Sequence, residues 1–267
     1  MAGLIVDDDL WALIEPLLPK WEPSPKGGQP RKPDRLCLTG ILFVLKTGIA
    51  WEDFPQEMGC CGMTLWNRLQ EWTRAGVWPK LHRLLLDRLR SADAIDFSRV
   101  LVDSGTIRAV GAGGKTGPNP TDRRKPGSKH NVISDARGVP LATILTLANR
   151  HDSTQLIPLV DAIPAIRGRV GAPLRKPGCV LADRGYDCDA HRMALSCRNI
   201  PTRIARRRTP HGSGLGKERW PIERTISWLH QFKRLRVRYD RRTDIHEALE
   251  GLACSMICWR TLKHEFF

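Results

Sequence analysis

The chain has no apolar run long enough to cross a membrane. A stretch such as Ile41–Leu45 falls far short of the roughly 20 residues a spanning helix needs. Its 8 cysteines include no C-x-x-C pair: Cys60 and Cys61 are adjacent, and Cys254 and Cys258 lie one helical turn apart. That spacing argues against a zinc site. At 267 residues a core is affordable without a disulfide framework, so the cysteines are expected as buried thiols in a reducing compartment. A secretion signal is missing too, since Asp7, Asp8 and Asp9 stand where a basic stretch would open one. No internal repeat is visible. These absences predict a soluble, cytoplasmic protein.

Acidic residues are the scarce charge. There are 28 Asp and Glu against 43 Lys and Arg, a formal net charge of +15. Hydrophobic residues at 41% leave an ordinary globular balance, so the excess is a surface property. Such a surface favours a polyanion, because neutralised phosphates release condensed counterions. The excess is concentrated: Asn199 to Arg242 holds 13 Lys or Arg against Glu218, Glu223 and Asp240.

Residues 1–95 read as a helical unit. Asp7 to Asp9 can cap a helix with Leu10, Trp11, Leu13, Ile14, Leu17 and Leu18 on one face, stopped by Pro19. Pro23 to Pro33 reads as a linker, and Asp34 as the cap of a second helix ending at Gly48. A third helix is expected from Thr64 to Ala75-Gly76 and a fourth from Trp78 to Leu89. The third carries Asn67, Arg68 and Arg74, which fits a helix-turn-helix DNA reader; a plain helical bundle fits the same pattern.

Residues 96–267 change texture. Arg99 to Asp103 reads as a strand, and Gly111 to Ser128 as a polar loop. His130–Ser134 and Val139–Leu147 read as a hairpin turning at Asp135-Ala-Arg-Gly138. Ser153–Ile163 then has helical periodicity, Cys179–Ala182 reads as a buried strand, Asp189–Cys197 as a helix and Ile200–Ala205 as a strand. Arg219–Arg234 reads as a helix with Pro221 in its first turn. This order implies an α/β sheet with helices on its faces.

Asp103 ends the first strand and Asp183 follows the strand Cys179–Ala182, where α/β sheets tend to build their sites. Glu223 lies on the helix after the last strand, which can cross the sheet to the same rim. Three carboxylates suit two Mg²⁺ ions and in-line phosphoryl displacement. Duller readings exist: either aspartate as a turn residue, or Glu223 as a partner of Arg219 or Arg224. Asp152, Asp187 and Asp189 are expected as cap or turn residues.

An ordered set of motifs resembles a known family. Leu101-Val-Asp-Ser, Lys129-His-Asn-Val-Ile and Asp135-Ala-Arg-Gly-Val-Pro-Leu come first. Leu181-Ala-Asp-Arg-Gly-Tyr-Asp187 and Arg219-Trp-Pro-Ile-Glu-Arg-Thr-Ile-Ser-Trp-Leu229 follow. Together with Thr47-Gly-Ile-Ala-Trp-Glu-Asp-Phe-Pro55, they are similar to the IS5 family of bacterial insertion-sequence transposases, within the IS4-like DDE group. The resemblance implies a ribonuclease H-like core with Asp103, Asp183 and Glu223 as its catalytic, metal-holding trio. Mg²⁺ or Mn²⁺, two ions, is the implied cofactor. Arg219 matches the arginine of the group's Y-R-E-K signature, while Gly216 and His230 stand where its tyrosine and lysine fall; Lys233 and Arg234 lie one turn on.

The implied partners are double-stranded DNA, both terminal inverted repeats and target, and a second copy of the chain, in the nucleoid of a bacterial cytoplasm. Phosphate contacts are expected from Arg206, Arg207, Arg208, Arg219, Lys233, Arg234 and Arg236. Trp220 and Trp228 are candidate supports for an unpaired base, with core packing the stronger reading for Trp228. A ribonuclease H-like nuclease that never joins strands, and a DNA-binding protein with a decayed site, remain as alternatives.

Overall fold

The computed structural model describes residues 5–23, 30–208, 214 and 216–264. Most of the expected linker, residues 24–29, lies outside them.

Four helices come first. α1 (Asp8–Ile14) is capped by Asp7, whose Oδ1 accepts from the Leu10 N–H at 2.7 Å. It runs into a 3₁₀ turn, Glu15–Leu17, so the regular helix ends before Leu18. α2 (Asp34–Thr47) ends at Gly48, whose φ of +77° suits a residue without a Cβ. Pro33, rather than Asp34, occupies its cap position; Asp34 is the first helical residue and turns to Arg68. α3 (Gly62–Arg74) begins two residues before Thr64, at a glycine so close to the Trp51 carbonyl that no Cβ would fit. α4 (Val77–Ser91) follows a tight turn at Gly76.

The sheet is built from β1 (Val100–Ala109), β2 (Gly117–Pro118), β3 (Pro126–Asp135), β4 (Pro140–Leu147), β5 (Val180–Ala182), β6 (Thr202–Ile204) and β7 (Val237–Arg238). Its main path runs β4-β3-β1-β5-β6. β1 pairs antiparallel with β3 and parallel with β5, and β5 pairs parallel with β6. The hairpin turn is set by Asp135, whose buried carboxylate accepts from the backbone N–H groups of Asp96, Arg137 and Val139.

α5 (Leu156–Ala162) is preceded by a 3₁₀ turn, Asp152–Gln155, where one continuous helix was expected. α6 (Asp189–Cys197), α7 (Gly216–Gln231), α8 (Lys233–Arg236) and α9 (Thr243–Leu262) complete the chain. Pro221 is the sixth residue of α7, inside the helix and not in its first turn. α9 is buried nearly all round, from Ile245 to Trp259, as a central core helix must be. It packs against α4 and β4, so one hydrophobic core runs from Val6 to Trp259 through both halves of the chain. The architecture is an α/β sheet of ribonuclease H-like order behind a helical N-terminal region. Among the described residues no helix is long and apolar enough to cross a membrane.

The cysteines divide. Cys37, Cys60, Cys254 and Cys258 are buried, as expected, but Cys61 and Cys197 are exposed. All are free thiols among the described residues.

Candidate active site

β1 is twice the length its apolar residues suggested, so Asp103 lies in mid-strand and not at its end. The parallel register sets Val102 beside Ala182. Asp103, the next residue of β1, therefore stands beside Asp183, the first residue past the end of β5. Asp183 starts a 3₁₀ turn, Arg184–Tyr186, and its Oδ1 accepts from the Gly185 N–H at 2.8 Å.

Glu223 arrives from α7. The helix crosses β1 at Gly105, where an added Cβ would lie 3.2 Å from Ile226 Cγ2 and 3.4 Å from His230 Cε1. Gly105 shares a sheet face with Asp103, two residues away, and Glu223 precedes Ile226 by one turn of α7. The charges of Asp183 and Glu223 both act on Asp103.

Asp103 is half-buried, with 20% of its side chain exposed. Burial pushes its carboxyl up to about 6; the Asp183 and Glu223 charges push the same way, while the Ser104 N–H and Arg219 oppose. Its Oδ1 accepts from Ser104 N at 2.8 Å and its Oδ2 from an Arg219 Nη2 at 3.1 Å. Among the described residues no three His, Cys, Asp or Glu side chains are grouped closely enough to hold a metal ion. The trio shares an electrostatic field in this state, and a guanidinium is its counterion.

Asp152 is not the cap it resembled in sequence. His151 caps that turn, and Asp152 Oδ1 accepts from Lys129 Nζ at 2.6 Å and Ser104 Oγ at 2.8 Å. Tyr186 is buried beside it. Burial and the charges of Asp103, Asp152 and Asp183 push the phenol well above its ordinary range, so it stays protonated. Ser104, Lys129 and Tyr186 stand inside the quoted motifs, but the sequence pattern assigns them no role; only their convergence does so.

Several expected DNA contacts are otherwise engaged. Arg68 is buried, bound to Asp34 and the Lys32 carbonyl, so it is no part of an exposed reading face. Asn67 and Arg74 are exposed on α3. Arg234 is a second correction: it is buried, and its guanidinium grips both oxygens of Asp240 at 2.9 and 3.2 Å. Arg219 points at Asp103 and not at open solvent, with 12% of its side chain exposed. Arg206 pairs with Asp187 and Asp189. Arg207 donates to the Arg184 and Gly185 carbonyls, which ties residues 206–208 to the Asp183 turn. Arg208 is exposed.

A groove of about 650 Å³ runs from Glu223 along α7 to α8, lined also by Ser227, His230, Gln231, Lys233 and Arg236. Lys233 and Arg236 are exposed there. Gly216 opens α7 where an added Cβ would meet open space among the described residues, while His230 faces Gly105 with its Nε2 buried and unpartnered. On the outer side of α7, Arg224 lies between Trp220 and Trp228, 4.6 and 4.4 Å from the ring centres. Trp220 is 52% exposed, and Trp228 is partly packed against the core, as its spacing suggested.

Residues 6–82 match the family described as "Putative transposase of IS4/5 family", and residues 96–258 match the transposase DDE domain. The chain is 62% identical over 149 residues to a Burkholderia cepacia protein, "Putative transposase for insertion sequence element IS402", covering 56% of this chain and 71% of that one. An uncharacterised 16.2 kDa protein of the same element is 58% identical over 129 residues, 47% of this chain and 88% of its own length. A crystal structure of the Mos1 strand transfer complex aligns over 92% of this chain and 77% of that one, with a TM-score of 0.37 and 14% identity, too distant to inform the site. On the DDE-domain match and the 62% identity to an insertion-sequence transposase, the chain belongs to the DDE transposases of insertion sequences, and it is a DNA transposase.

Proposed function

We propose that Asp103, Asp183 and Glu223 are the catalytic carboxylates of this transposase, acting with divalent cations on the ends of an insertion sequence. The observation that carries this reading is the meeting of three segments distant in sequence. β1, the end of β5 and α7 each bring one carboxylate to one field, felt at Asp103.

Mg²⁺ or Mn²⁺ fits the donor set, since hard cations take carboxylate oxygens. Asp103 and Asp183 would hold one ion and Glu223 a second. Such ions supply nucleophile activation and charge neutralisation at phosphorus. The chain's own work is positioning. Ser104 N fixes Asp103 Oδ1 and Gly185 N fixes Asp183 Oδ1, so neither carboxylate is free to rotate away.

The first step breaks a phosphodiester at the element's end with water and leaves a 3′-hydroxyl. In the second, that hydroxyl attacks a target phosphodiester; one P–O bond forms as another breaks. In this second step the number of phosphodiester bonds is unchanged, so no energy source is needed. Lys233 and Arg236, in the groove that starts at Glu223, and Arg208, beyond the Asp183 turn, would hold phosphates on either side. Residues 1–95 would read the inverted repeats, with Asn67 and Arg74 on the exposed side of α3. Two ends held together call for at least two copies of the chain, on DNA in the cytoplasm.

The test is incubation of the full chain with Mg²⁺ and a labelled duplex carrying the element's end, beside Asp183→Ala. End cleavage and joined products, both lost in the variant, are expected. Cleavage retained by the variant overturns the carboxylate assignment, and cleavage without joining moves the reading to a nuclease.

A further inference from the structure

We infer that Arg219 is an exchangeable counterion: it holds Asp103 in the DNA-free chain and passes to the scissile phosphate when DNA binds, releasing Asp103 for metal. This rests on the active-site reading above and assigns Arg219 the role of coupling metal binding to DNA binding.

Two observations converge on it. Both oxygens of Asp103 are taken, Oδ1 by the Ser104 N–H and Oδ2 by Arg219. The guanidinium is poorly satisfied: Nη2 donates to Asp103, while Nε is buried with no partner.

The edge formed by Nε and Nη2 is the one that takes a carboxylate or phosphate by two parallel hydrogen bonds. Here half of it is used and half is orphaned, and a buried orphan donor costs free energy. A phosphodiester at the site offers two oxygens to that edge. Taking both satisfies Nε and withdraws Nη2 from Asp103. Asp103 Oδ2 is then an unpaired anion beside Asp183 and Glu223, which is what a divalent cation requires. Without DNA, a cation approaching Asp103 meets the guanidinium's positive charge at contact distance and is repelled.

Arg219 and Glu223 are four residues apart on α7. They share one helix face, so no segment has to move: a change in one side chain's torsions is enough. The exchange would keep a DNA-cutting site from assembling its metals before the substrate is seated.

The test is a Mn²⁺ titration of the full chain without DNA, read from the electron paramagnetic resonance signal of free Mn²⁺. Arg219→Gln should bind Mn²⁺ about tenfold more tightly than the unaltered chain, with Arg219→Lys, which keeps the charge, near the unaltered value. A merely structural role would weaken Mn²⁺ binding, and an unchanged or weaker Arg219→Gln overturns the inference. A second measurement needs no variant. By reciprocity, affinity for the end duplex should rise about tenfold with Mn²⁺ at matched ionic strength, and no rise overturns the inference. Failure of the exchange is distinguishable from failure of the site: Mn²⁺ binding that survives Asp103→Asn overturns the site reading itself.

Discussion

Arg234 and Asp240 form a buried ion pair, their side chains 6% and 2% exposed, that ties the chain after α7 back to the N-terminal helices. The guanidinium meets both carboxylate oxygens and also donates to the Ile49 carbonyl at 3.0 Å, at the end of α2. Breaking such a pair leaves an uncompensated buried charge, at a cost of about 3–5 kcal/mol. Arg234→Ala should therefore lower stability by that amount in urea unfolding. A loss under about 1 kcal/mol, the value of an exposed pair, would show that Arg234 is not the anchor described.

Lys233 and Arg236 flank Arg234 but face the groove. Each phosphate contact contributes about 0.9 to the slope of log affinity against log salt. Substituting both by alanine should flatten that slope by about two for end-duplex binding. The thermal midpoint should stay unchanged. An unaltered slope would remove the groove from the DNA path.

Gly105 is where α7 rests on β1, so close that Ile226 would have to give way by a few tenths of an ångström for even a Cβ. Gly105→Val should cost about 1–3 kcal/mol by overpacking and lift Glu223 away from Asp103. End cleavage should fall by more than the stability loss explains, while DNA binding persists. Cleavage at the unaltered rate in a folded Gly105→Val would dissociate this crossing from catalysis.

Glu250 lies buried in α9 with its Oε1 unpartnered, and burial pushes its carboxyl up to about 8. An unfolded glutamate titrates near 4.3, so between these values the folded chain keeps a proton that the unfolded chain has released. Stability from this group is therefore full below about 4.3 and falls as pH rises, by about 1.4 kcal/mol per pH unit. Glu250→Gln should remove that slope. Urea unfolding at pH 6.5 and 7.5 measures it, and equal pH dependence in both proteins would contradict the burial argument.

Local signals in the sequence were sufficient for much of the fold. Asp7 capping α1, Gly48 ending α2, and the Asp135–Gly138 turn each depend on residues a few positions apart, and each stands where expected. The motifs around Asp103, Asp183 and Glu223 also identified the family, because motif order survives without geometry. α9 escaped because periodicity reports a helix with one wet face, and α9 has none. Arg68 and Arg234 were misread for a related reason. A buried arginine is the same letter as an exposed one, and the acids that bury them, Asp34 and Asp240, are chosen by packing.

What the sequence by itself determined is chemistry carried by residue type and order: a basic chain, three carboxylates on ordered motifs, and caps and turns set by near neighbours. Only the tertiary structure decided which charges meet. Asp103 and Arg219 are 116 positions apart, and the pair exists because α7 lies across β1 at Gly105. Coulomb energy depends on distance and dielectric, and folding sets both.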